Sequence, residues 1–116
     1  MAISPIRMVE GQQVATTATT YYLTPANSTA VLKKLTLTNT TAVAVAVTVY
    51  LVNSGGAADA AHTVTYQKVI PPNNVAGGVI EVYEAENHVL LAGDTLQAKA
   101  DTAASVTIIA SGQLFQ

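Results

Sequence analysis

The sequence predicts an all-β protein, a single domain built as an eight-stranded antiparallel β-sandwich. Three observations lead there. Runs of period-two alternation recur along the chain, turn residues interrupt them at nearly regular spacing, and no stretch carries a helical pattern of useful length. The length agrees, because 116 residues lie near the commonest domain size and suffice for one core. About eight short strands in this rhythm suit a jelly roll, and an immunoglobulin-like sandwich fits the same text.

Residues 1–13 read as an N-terminal arm or edge segment. Pro5 stands among Ile3, Ile6, Met8 and Val9, with a short edge strand expected over Ile6 to Val9, before the polar Glu10-Gly11-Gln12-Gln13. Residues 14–116 are expected to form the sandwich. Val14 to Thr24 is rich in threonine and ends in Tyr21-Tyr22-Leu23, a β-branched and aromatic composition that favours a strand.

The most regular stretch is Val31 to Val52. Leu35 and Leu37 alternate with Lys34, Thr36 and Thr38, and Val43, Val45, Val47, Val49 and Leu51 alternate with smaller or more polar neighbours. Asn39-Thr40-Thr41 between the two runs has turn chemistry, since Asn tolerates left-handed φ and the hydroxyls bond nearby backbone. The pattern predicts an antiparallel hairpin whose valine face a second sheet covers.

The small residues Asn53 to Ala61 read as a loop across one end of the sandwich. Alternation resumes from His62 to Ile70, with Val64 and Tyr66 sharing an inward face, and Pro71-Pro72 ends it because proline cannot donate to a ladder. Further strands are expected over Val79 to Tyr83, Val89 to Leu91, Thr95 to Ala100 and Ala104 to Ser111. Ala92-Gly93-Asp94 and Asp101-Thr102-Ala103 turn the chain between them.

Composition narrows function. Hydrophobic residues make up 50% and charged residues only 10%, against about 25% charged in an ordinary soluble domain. A net charge of −2 opposes association weakly. The surface therefore reads as one made to be covered by neighbours. Cysteine is absent, which excludes disulfides and thiolate metal sites. No run reaches the roughly 18 apolar residues of a membrane span, and the N-terminus lacks the apolar run of a signal peptide, so a soluble product made in the cytosol is expected. Five Lys and Arg are scattered and outnumbered by seven acids, which argues against nucleic acid as a partner.

No catalytic constellation emerges. Asp59 with His62, and Glu84 and Glu86 with His88, put acids near imidazoles, but at loop-to-strand boundaries where exposed polar groups are the plain reading. Ser54, Asp59 and His62 supply triad residue types without a nucleophile elbow. Gly55-Gly56 and Gly77-Gly78 lack the Lys-Ser or Lys-Thr that follows a phosphate loop. No enzyme activity, metal or cofactor is expected. In Lys33-Lys34 the two side chains of a strand should point to opposite faces, one of them guarding an edge. Tyr21, Tyr22, Tyr50, Tyr66 and Tyr83 are the aromatic groups a glycan platform would draw on.

The run Thr19 to Thr40, with Tyr22-Leu23-Thr24-Pro25-Ala26 leading into Lys34-Leu35-Thr36-Leu37-Thr38-Asn39-Thr40, resembles small virion proteins of tailed bacteriophages. Val47-Thr48-Val49-Tyr50-Leu51-Val52, Ser54-Gly55-Gly56, Leu91-Ala92-Gly93-Asp94-Thr95-Leu96-Gln97-Ala98 and Val106 to Gly112 extend the likeness over Thr19 to Gly112. The resemblance implies a structural role, most similar to a capsid decoration or cement protein, with the major capsid protein or other virion proteins as partners. It further implies a homo-oligomer, a trimer being favoured, located in the virion after synthesis in the host bacterial cytoplasm. A neck, tail or tail-fibre module, or a glycan-binding one, is the alternative. Ile3, Ile6, Met8, Leu114 and Phe115 are the expected partner-contacting residues, being apolar and terminal.

Overall fold

The computed structural model describes residues 2–74 and 78–116. Nine strands run in chain order among them: β1 (Ile3–Gln13), β2 (Thr19–Leu23), β3 (Thr29–Asn39), β4 (Val45–Val52), β5 (Thr63–Ile70), β6 (Val79–Glu81), β7 (Val89–Leu90), β8 (Thr95–Ala100) and β9 (Val106–Phe115). Single 3₁₀ turns at Ala60–His62 and Tyr83–Ala85 precede β5 and β7.

Two antiparallel sheets form a sandwich. The first has the order β1-β9-β3-β6, with β7 also paired to β3; the second has the order β2-β8-β4-β5. The pairings are nested: β1 with β9, β2 with β8, β3 with β6 and β7, and β4 with β5. A long two-stranded ribbon rolled across both layers produces that nesting, which is the jelly roll. Strands β6 and β7 are two short pieces in one position beside β3, so the expected eight strands are met with one of them split. The immunoglobulin-like alternative is set aside by the same nesting.

The core follows the alternation. Leu32, Leu35 and Leu37 of β3, Val45, Val47 and Val49 of β4, Leu96 and Ala98 of β8, and Val106, Ile108 and Ala110 of β9 form one buried cluster, joined by Val14, Ile70, Val82 and Leu90. Each fully buried Leu, Ile or Val contributes about 1.5–3 kcal/mol of hydrophobic stabilisation.

Several expectations are corrected. The stretch Val31 to Val52 is not a hairpin, because β3 and β4 lie in different sheets. Both strands carry one apolar face, and placing them in opposite layers buries both faces in the shared core, which side-by-side pairing would not do. The chain changes sheet at Asn39, whose side chain is 1% exposed. Its Nδ2 donates to the Val43 carbonyl (2.8 Å) and the Ile70 carbonyl (3.1 Å), while its Oδ1 accepts from the Thr41 N–H (2.9 Å) and hydroxyl (2.8 Å). One amide thus ties the corner to the end of β5.

The N-terminal edge segment forms a strand longer than the Ile6 to Val9 expected, at the edge of the first sheet. Strand β1 pairs with β9 from Ile3 opposite Phe115 to Gln13 opposite Thr107, and Met8 and Val9 enter the core. Register slips between Arg7 and Val9 let both apolar side chains turn inward. Lys33 and Lys34 are both exposed, because a similar slip between Leu32 and Lys34 removes Lys33 from the alternation. Lys33 Nζ donates to Asn87 Oδ1 (3.3 Å), and Lys34 Nζ lies 3.7 Å from a Glu81 carboxylate oxygen. Strand β2 starts only at Thr19, since Val14 to Ala18 carries the chain between sheets. The strand expected over Val79 to Tyr83 stops at Glu81, where the Tyr83–Ala85 turn takes over; part of the turn leading into it, including Gly77, lies outside the described residues.

Asn39→Ala takes the amide from the buried Ile70 carbonyl, from the Thr41 N–H and from the Val43 carbonyl, which keeps the Thr41 hydroxyl, so a loss of about 1–3 kcal/mol is expected in urea-denaturation stability. A loss below roughly 0.5 kcal/mol would show that the corner is held by something other than this amide.

Candidate interaction surfaces

Both ends of the chain meet on the first sheet. Ala2 N–H donates to the Gln116 carbonyl and Gln116 N–H to the Ala2 carbonyl, each at 2.9 Å. This reciprocal exchange makes Ala2 and Gln116 a hydrogen-bonded pair, so Ile3 and Phe115 next to it form a non-hydrogen-bonded pair, where side chains come closest. They stand on the outer face of the sheet. Two residues further in, the register sets Pro5, Gln113, Val31 and Val89 in a row across β1, β9, β3 and β7 on that face.

The result is a largely apolar patch of Ile3, Pro5, Phe115, Val31 and Val89 drawn from four strands, with Gln113 between Pro5 and Val31. Ile3 is 58% and Val89 57% exposed, while Phe115 and Val31 are half-buried. Charge begins at the next row, where Arg7, Ser111 and Lys34 align. The free edge of β1 is protected: by the alternation of the ladder, Pro5 sits where its nitrogen faces outward, so the missing N–H removes a group that a foreign strand would need.

The five expected contact residues divide between two sides of the strands. Ile3 and Phe115 come together on the outer face. Ile6 and Leu114 pack against the margin of the core, and Met8, 6% exposed, lies within it. Met8 Sδ and the Val31 carbonyl leave no room for a side chain at Gly112, opposite Ile6, and so glycine there lets β9 fit between β1 and β3. Pro5, Val31 and Val89 were not singled out from sequence, because each enters the patch only through the register of distant strands.

The outer face of the second sheet is different in character. Asn53 to Ala61 does not cross an end of the sandwich; it joins the neighbouring strands β4 and β5, and its Ala58, Asp59 and Ala60 edge a hollow of about 500 Å³ with Tyr50, Thr63, Tyr66 and Lys99. Tyr66 is 72% exposed, contrary to the inward face expected for it. Register slips on both sides of Val49 put extra β5 residues into the ladder, and Gln67 adopts φ 45° with its N–H donating to the Thr48 hydroxyl (3.1 Å). These bulges end the alternation that Val64 starts. Asp59 Oδ1 lies 2.8 Å from His62 Nδ1 and accepts from the Ala61 N–H (3.1 Å). The His62 contact holds the Asp59 carboxyl below its ordinary value.

At the sheet edge the Tyr83–Ala85 turn packs against both β3 and β5, with Val82 and Ala85 buried. Glu84 receives the Thr65 hydroxyl (2.8 Å) and Lys68 Nζ (3.3 Å). Hydrogen bonding from its own backbone N–H, then from Thr65 and Lys68, holds its pKa below the ordinary 4.5. Glu86, which accepts from the Leu35 N–H (3.3 Å), is shifted upward by desolvation and by Glu81 beside it. His88 Nε2 lies 3.0 Å from the Glu84 carbonyl. Among the described residues no three potential metal-ligating side chains gather, and no helix is long and apolar enough to cross a membrane.

No protein-family model and no curated protein matches the sequence. Solved structures of infectious bursal disease virus are similar in part. The Gx-strain structure aligns with a TM-score of 0.41 and 13% identity over 97% of this chain and 30% of the other. The Gt-strain structure gives 0.37 and 16% identity over 97% and 32%, and the VP2 subviral particle 0.34 and 17% over 97% and 32%. This chain thus spans about a third of the length of those chains. The jelly roll stands on its strand order, described above, and not on these likenesses.

Because the folded Glu84 has its pKa below the unfolded 4.5, its contribution is present above pH 4.5 and is lost as pH falls through the folded value. Glu84→Gln should make the fall in melting temperature between pH 4.5 and acid shallower than in the wild type. Parallel profiles for the two proteins would show that the contacts to Thr65 and Lys68 do not couple to folding.

Proposed function

We propose that this chain is a virion structural protein of a tailed bacteriophage, a decoration or cement protein that binds the assembled head through the outer face of its first sheet. The observation that carries the reading is the apolar patch where the two termini pair, on a surface with very little charge. Scattered exposed apolar residues are ordinary, but a contiguous patch drawn from four strands marks a contact site. The resemblance of Thr19 to Gly112 to small phage virion proteins supports the same role. So does the architecture, since jelly rolls recur among capsid domains, although they also serve as lectins and other modules and fold alone does not assign function.

The partner in this reading is the major capsid protein, and the role is structural rather than catalytic, with neither nucleic acid nor membrane engaged. A protein that binds only the assembled lattice stabilises it by mass action. As a homo-oligomer, a trimer in the favoured arrangement, it would hold several coat subunits at once, so modest single contacts would add through effective concentration. Synthesis in the host cytoplasm followed by location in the virion completes the proposal.

Ile3→Asp and Val89→Asp place a charge in the patch without touching the core. Each is expected to weaken co-sedimentation with purified heads by about tenfold or more, since an unpaired carboxylate would be buried at the contact. Melting temperatures close to that of the wild type would confirm that the variants fold. Unchanged co-sedimentation of both folded variants would overturn the placement of the contact on this face.

A further inference from the structure

We propose that the outer face of the second sheet is a binding site for a neutral oligosaccharide, with Tyr66 and Tyr50 as its aromatic surface and Asp59 and Lys99 as its polar anchors. The site does not depend on the capsid reading, since it lies on the opposite layer of the sandwich from the patch of Ile3 and Phe115.

Tyr50 is the starting point. It faces away from the core, yet it is only 5% exposed, and it lines the hollow. Its hydroxyl forms no hydrogen bond to any described residue and is not among the fully buried polar atoms, so it is open to solvent and free to bond a ligand in the hollow. Around it stand two more unused polar groups. Asp59 commits Oδ1 to His62 and Ala61, leaving Oδ2 without a protein donor, and Lys99 Nζ has no partner among the described residues. Tyr66 is held outward by the β5 bulge, offering its ring where the apolar face of a sugar could stack. A hollow of about 500 Å³ falls within the roughly 300–1,000 Å³ of small-ligand sites.

Lys99 also borders a second hollow of about 310 Å³ lined by Thr16, Thr48, Gln67 and Asp101. The two therefore adjoin along one sheet face and suit an elongated ligand of more than one ring. Their chemistry selects its class. Asp59 and Asp101 outnumber Lys99, which disfavours a phosphate chain or an acidic polysaccharide. Hydroxyl and amide groups in the second hollow disfavour a lipid. A peptide adding as a strand would pair at the free edge of β5, whereas the hollow opens over the outer face, where Tyr50 of β4 and Lys99 of β8 stand on strands paired on both sides. A chain of neutral sugars uses everything present: hydroxyls for Asp59 Oδ2, Lys99 and Tyr50, and ring C–H faces for Tyr66.

The experiment is a glycan array, carrying neutral oligosaccharides, acidic polysaccharide fragments and control peptides, probed with the full chain and followed by calorimetric titration of the best neutral hit. Tyr66→Ala alters an exposed side chain, so it should melt like the wild type while binding that glycan about tenfold more weakly, the loss expected for one aromatic contact. Lys99→Ala should weaken it as well, and Ile3→Asp should leave it unchanged. Retention of acidic glycans or peptides alone, no retained glycan, or affinity indifferent to Tyr66→Ala would each overturn the proposal. None of those results bears on head binding through the opposite sheet, which co-sedimentation reads separately.

Discussion

The antiparallel ladder between β3 and β9 is the interaction on which the rest of the structure depends. It runs from Thr29 opposite Phe115 to Asn39 opposite Val106, and every other strand of the first sheet joins it from one side or the other. From its inner face come Leu32, Leu35, Leu37, Val106, Ile108 and Ala110, half of the floor against which the second sheet packs. Its cost is topological. The paired residues are separated by most of the chain, so loop closure precedes any reward, and a slow-folding domain is the physical expectation.

The same ladder explains how the termini come together. Once β9 is fixed beside β3, β1 can only add to the far side of β9, and the ends of the chain become neighbours. Outward side chains there have no further layer to cover them. The low charge of the sequence then has a spatial meaning: the outer faces carry Thr, Ala and Val, while two of the four ion pairs among the described residues, Lys34 with Glu81 and Lys68 with Glu84, lie near the split strand and its turn. Exposed pairs of this kind contribute little to stability, about 0–1 kcal/mol each, and so the fold rests on packing and on the buried amide of Asn39.

Much of this was legible in the sequence, and what was not has a physical reason. Alternation at Leu35 and Leu37, at Val45 to Val49 and at Val106 to Ala110 gave strands, inward faces and the sandwich, because a period of two reports burial of one face. It does not report which sheet a strand joins. That is why β3 and β4, contiguous and complementary in pattern, read as a hairpin and turned out to face one another across the layers. Bulges are also silent in the pattern: Lys33 and Tyr66 take faces opposite to those their positions imply, since a single extra residue reverses every face after it. Of the apolar patch, the character of Ile3 and Phe115 was readable, but their pairing, and the inward turn of Ile6, Met8 and Leu114, needed the register. The hollow beside Tyr50 was invisible because it depends on a loop folding back over a sheet face.

The most direct measurement is the number of copies of this chain per major coat subunit in purified phage particles, by quantitative mass spectrometry. A shell-covering decoration protein held by many equivalent contacts predicts a ratio of order unity, retained through repeated washing. A chain missing from the particles, or present only in a few copies for each shell, would contradict the account.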